Sequence, residues 1–167
     1  MTEQEFHILL VQEHKRLVAL AARFLHASGM DGEAEDIAQD AAAKLWELSQ
    51  KGYPIRDASA LAVRITKNLC VERWRAQRRM AFQPLAGDHY EGGPTAESSL
   101  DEQENVRIRD QLYSRLSETQ RRLLTLRNEY ALSLDEIALA TGKPKGSVKA
   151  TLSQARKQLL EEIKKIQ

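Results

Sequence analysis

Apolar residues recur at helical spacing along nearly the whole chain, and strand-like alternation never replaces them. Phe6, Leu9, Leu10, Leu17, Leu20, Ala21, Phe24 and Leu25 share one stripe over residues 3–27, which "SGMDG" breaks. A second helix is expected from about Glu33 to Gln50 on Ile37, Ala41, Leu45 and Leu48, and "KGYP" then turns the chain. A third starts near Asp57 or Ser59 with Leu61, Ile65, Leu69 and Val71 inward. The pattern stops once, at "FQPLAGDHYEGGPTAESS" (82–99), where two Pro and three Gly stand among few apolar residues. It resumes with "ENVRIRDQLYSRL", with "SETQRRLLTLRNEY" and with a final helix pair. The expected fold is all-α: two small helical domains, 1–80 and 105–167, joined by a flexible acidic linker at 81–104.

The net charge of +1 hides a sorted distribution. Five acids and no base lie between Ala27 and Ala43, and six bases against Glu72 between Arg64 and Arg79. Six acids and no base follow from Gly87 to Glu104, and seven bases against two acids from Lys143 to Lys165. Two basic surfaces therefore alternate with two acidic ones. The N-terminus carries charge throughout, so neither a signal peptide nor a membrane span is expected, and a soluble cytoplasmic protein is the default. The single cysteine, Cys70, cannot staple the fold and is read as core, as is Trp46. The four histidines form no ligand cluster with Cys70, and there is no Gly-rich phosphate loop, so no metal, cofactor or enzymatic activity is expected.

The segment "SLDEIALATGKPKGSVKATLSQARKQL" (133–159) has the form of a helix-turn-helix. Ser133 with Glu136 makes a capping box, Gly142 suits the turn, and Pro144 suits the start of the second helix. Val148, Leu152, Ala155 and Leu159 form an inward stripe. Lys145, Ser147, Lys149, Thr151 and Arg156 then lie on the other face, with Gln154 and Lys157 beside them, where they could meet phosphates and base edges in a major groove. From these residues alone, a solvated helical hairpin remains an alternative. So does a conventional helix-turn-helix regulator with a helical sensor or dimerisation domain in front.

Three segments in order, "AEDIAQDAAAKLWEL" (34–48), "IRDASALAVRITKNLCVERWRAQRR" (55–79) and "LSETQRRLLTLRNEYALSLDEIALATGKPKGSVKATLSQARKQL" (116–159), resemble the extracytoplasmic-function (ECF) sigma factors of bacterial RNA polymerase. The resemblance implies that the first domain binds core polymerase and helps melt the promoter, while the second reads the upstream promoter element. It assigns Asp36, Gln39 and Asp40, with Glu33 and Glu35 alongside, to docking on the clamp-helix coiled coil of the largest polymerase subunit. It assigns Lys67, Asn68, Arg73, Arg75, Arg78 and Arg79 to the melting strand, and the loop at about Gln50 to Asp57 to capture of an unstacked base. Tyr53 there either stacks on that base or packs on the domain edge. Promoter DNA, core polymerase and an anti-sigma factor are the implied partners. The sequence departs from the family pattern at Glu72, at Leu61-Ala62, and in the second motif helix, where Ala150-Thr151 and Gln154 replace a usual Ser-Arg and Arg.

Overall fold

The computed structural model describes residues 1–78 and 107–166, together with the backbone of Arg79. The expected linker at 81–104 lies outside the described residues. The described part is helical: α1 Glu3–Ser28, α2 Ala34–Gln50, α3 Ala58–Arg79, α4 107–113, α5 Glu118–Leu124, α6 Leu134–Thr141 and α7 Lys145–Ile166.

Local chemistry sets the ends. Thr2 and Glu5 make a reciprocal capping box at the start of α1, and Gly29 ends it in the left-handed region at φ 68°. The Met30 N–H then reaches the Leu25 carbonyl at 3.2 Å, which satisfies a carbonyl the helix end would leave open. Ser117 with Gln120 and Ser133 with Glu136 cap α5 and α6 as expected, and Gly142 closes α6 at φ 69°.

One expectation needs correction. "SETQRRLLTLRNEY" is not one α-helix: α5 ends at Leu124, and Thr125–Glu129 form a π-helical turn. Widening the turn directs Glu129 and Tyr130 toward α1. The Tyr130 hydroxyl donates to the Leu20 carbonyl at 2.6 Å, and its ring lies 4.7 Å from that of Phe24. A buried partner explains what local pattern does not, since π turns are rarely stable alone.

Helices α1, α2 and α3 pack together around Leu17, Leu20, Ala38, Ala41, Leu45, Ala62, Val63 and Ile65. A second core runs across both halves of the chain. It joins Phe24, Cys70, Val71 and Trp74 to Leu123, Leu126, Tyr130, Ile137, Val148 and Leu152. The deepest tryptophan is Trp74 in this shared core; Trp46 is half-buried, 4.8 Å from the Phe6 ring.

Cys70 and Tyr130 both sit in the shared core. Burial pushes the Cys70 thiol up from 9.0 to about 12, and burial likewise raises the Tyr130 phenol. Both groups are neutral when buried, so their contribution is complete below the ordinary pKa and is lost as pH rises toward the raised one. Stability should hold to about pH 9 and fall between there and about pH 12. Chemical denaturation across that range checks this, and Cys70→Ala should flatten part of the fall.

Candidate nucleic-acid interface

The helix-turn-helix forms as its sequence requires. Ile137 of α6 and Val148, Leu152 and Ala155 of α7 are buried together, with Leu134 and Leu159 packed at the edge. Pro144 directly precedes α7, and its carbonyl accepts the Val148 N–H at 3.1 Å. With the apolar stripe inward, Lys145, Ser147, Lys149 and Arg156 are exposed and Thr151 is half-buried. Lys145 leans back to Asp135 at 3.2 Å, an exposed pair that contributes little to stability and yields readily to a phosphate. All five residues assigned to duplex DNA thus lie on α7, Lys145, Lys149 and Arg156 along one flank of the buried stripe and Ser147 and the half-buried Thr151 along the other.

On α2, Asp36, Gln39 and Asp40 are exposed on one face, while Ile37, Ala38, Ala41 and Leu45 bury the other. The two carboxylates are not left to repel each other. Arg73 of α3 donates to Asp36 at 3.1 Å and also to Asp40. The i, i+4 repulsion is therefore relieved within the chain, and any docking partner must compete with Arg73. Glu35 pairs with His14 at 3.0 Å.

The strand-binding candidates divide. Arg73 faces α2. Lys67, Asn68, Arg75 and Arg78 lie at helical spacing from Val71 and Trp74, on the side of α3 that turns toward the C-terminal helices. Lys67 is only 8% exposed, so it is not the free basic contact its position suggested. The Arg78 guanidinium sits 5.4 Å from the centre of the Trp74 ring, a cation–π contact. Arg75 forks onto Glu136 of α6, with Nε at 2.7 Å from one carboxylate oxygen and Nη2 at 2.9 Å from the other. Arg79 ends α3, and its side chain lies outside the described residues. Tyr53 is 47% exposed in the loop before α3.

Glu136 does two jobs at once. It also accepts the Ser133 N–H at 3.0 Å, completing the cap of α6. Burial alone would push its carboxyl up, but the Arg75 hydrogen bonds and the Ser133 N–H outweigh burial and hold it below the ordinary carboxylate range.

A family model described as Sigma-70 region 2 matches residues 10–80, and one described as Sigma-70, region 4 matches residues 110–159. The chain belongs to the sigma-70 family. It is a sigma factor of the extracytoplasmic-function group and directs RNA polymerase to promoters. The match over residues 10–80 disfavours a conventional regulator, which would need no region 2. Sigma factor families are not enzymes. No curated protein matches the chain. Among the described residues no helix is long and apolar enough to cross a membrane, and no His, Cys, Asp and Glu group could hold a metal ion.

Several residues that shape this sigma factor escape sequence reading. Glu129, 2% exposed at its side chain, accepts from Arg23 of α1 at 2.7 Å and from Arg109 of α4 at 2.8 Å. Arg122 donates to the Ala27 carbonyl at 2.6 Å. Glu136 looked like a capping residue only. Trp74 alone had a usable signal, since it follows Cys70 and Val71 at spacings of four and three.

Proposed function

We propose that the chain's two regions, 1–80 and 105–167, divide the work of promoter selection. Asp36, Gln39 and Asp40 dock on polymerase. The basic side of α3, with Tyr53 in the loop before it, holds the melted strand. Lys145, Ser147, Lys149, Thr151 and Arg156 of α7 read the upstream duplex. The observation that carries this reading is the two-sided α7: an unbroken buried stripe fixes the helix while every groove-facing candidate remains at least partly open to solvent. Polymerase performs the chemistry, so the chain needs no catalytic group or cofactor of its own. Its work on promoter DNA places it in the cytoplasm, and an anti-sigma factor is the partner that would restrain it.

The family's usual arginine is absent at Thr151, which makes that position the sharpest test. Transcription by core polymerase from a promoter library should separate two effects. Lys149→Ala should lower yield at all promoters about equally, as loss of a phosphate contact does. Thr151→Arg should re-rank promoters, favouring a guanine at one upstream position by about 1–3 kcal/mol. Unchanged ranking and yield in both variants would mean that α7 does not read the groove.

A further inference from the structure

We propose that Glu72 reads a base of the melted strand: its carboxylate accepts the two adjacent N–H groups that an unpaired guanine presents, so that α3 selects sequence as well as holding phosphates. The inference rests on the assignment of α3 to the melted strand made above, and it adds a residue outside the basic set.

Glu72 is the only acid among six bases between Arg64 and Arg79, and the fold gives it no other task. It is exposed and lies about two turns before the end of α3, so it neither packs nor caps. The two arginines nearest to it in sequence are both committed elsewhere. Arg73 donates to Asp36 and Asp40 of α2, and Arg75 forks onto Glu136 of α6. The remaining neighbours at helical spacing, Asn68, Leu69 and Ala76, carry no charge. Glu72 therefore makes no hydrogen bond or ion pair among the described residues. Asn68, one turn earlier, is half-buried at the margin of the packed side, and its amide is equally without a partner among them. A carboxylate repels phosphates, so on a side that takes a nucleic-acid strand it is a cost unless it meets a donor.

The chemistry names the base. An ionised carboxylate accepts hydrogen bonds and cannot donate. Bases splayed out of a duplex expose their Watson–Crick edges. Guanine there sets its N1–H beside its N2 amino group, and these two parallel donors match the two carboxylate oxygens as a guanidinium fork does. Adenine and cytosine set one amino group beside a ring-nitrogen acceptor. Thymine sets its single N–H between two carbonyl oxygens. Each of these three turns a lone pair toward the carboxylate. The cations of α3 hold phosphates of any sequence, and Glu72 discriminates among the bases.

Transcription by core polymerase with the full chain, from a promoter library randomised across the melted element, tests this. The wild type should favour guanine at one position by about tenfold or more. Glu72→Ala should flatten that position and leave the ranking of upstream positions as it was. Glu72→Gln should lose guanine there and gain adenine and cytosine, because the amide sets an acceptor beside a donor. Alanine and glutamine are good helix formers at an exposed site, so helicity should be unchanged. The proposal is overturned if the wild type shows no guanine preference that these variants abolish. It is equally overturned if both variants raise yield at all promoters alike, as loss of a repelling charge alone would. Arg78→Ala, with helicity checked, reads the underlying assignment separately and should lower yield at all promoters. That loss beside an unchanged ranking in the Glu72 variants sinks the guanine reading alone, whereas full yield from Arg78→Ala at every promoter removes α3 from the strand and Glu72 with it.

Discussion

Replacing Arg23 and Arg109 together with alanine should destabilise the chain by about 3–5 kcal/mol. Both guanidiniums converge on one oxygen of Glu129, at 2.7 and 2.8 Å, and that side chain is 2% exposed. Without them a carboxylate is left in the interior with no cation to offset its lost hydration. Glu129→Ala removes the same interactions but should cost less, about 1–3 kcal/mol. The difference lies in what remains. Arg23 and Arg109 are 36% and 27% exposed, so they can turn to water, whereas Glu129 cannot. Urea denaturation of the two variants gives the ordering. A Glu129→Ala penalty equal to or above that of the double arginine variant would show that the carboxylate is not the buried, dependent member of the triad.

Reversing Asp36 and Asp40 to lysine should weaken association with core polymerase at least about tenfold, with helicity preserved. The fold should survive because the carboxylates that pair with Arg73 are 60% and 52% exposed, and exposed pairs contribute about 0–1 kcal/mol each. Binding should not survive, because the reversal turns the exposed acidic face of α2 basic at the point where a basic partner would exchange with Arg73. Co-purification with core enzyme, alongside circular dichroism, checks both halves. Undiminished association by a folded variant would remove α2 from the polymerase interface.

The helices themselves were legible because their signals are local. Apolar spacing located α1 to α3, and the serines at 117 and 133 and the glycine at 142 set ends within a few residues. The buried stripe of α7 was legible for the same reason: apolar residues at spacings of four, three and four mark the side that packs. What was not legible depends on residues far apart in the chain. Glu129 and Arg23 are separated by 106 positions, and Arg75 and Glu136 by 61. No window of sequence relates them, and Glu136 already had a sufficient local role as a cap. The π-helical turn at Thr125–Glu129 belongs to the same class, since Tyr130 and Glu129 are held by α1 rather than by their neighbours. Lys67 shows the reverse error. Its charge marked it for the surface, but it is 8% exposed, at helical spacing from the buried Val71 and Trp74. Arg73 and the α2 acids were assigned to different partners, and each proved able to satisfy the other.

The most direct measurement is run-off transcription by core polymerase on a promoter library, with and without the full chain. The account predicts transcripts that start at a defined set of promoters only when the chain is present, fall away in the Asp36→Lys, Asp40→Lys variant, and are re-ranked by Thr151→Arg. No chain-dependent transcript, together with tight, salt-resistant binding of the isolated chain to a palindromic duplex, would contradict it.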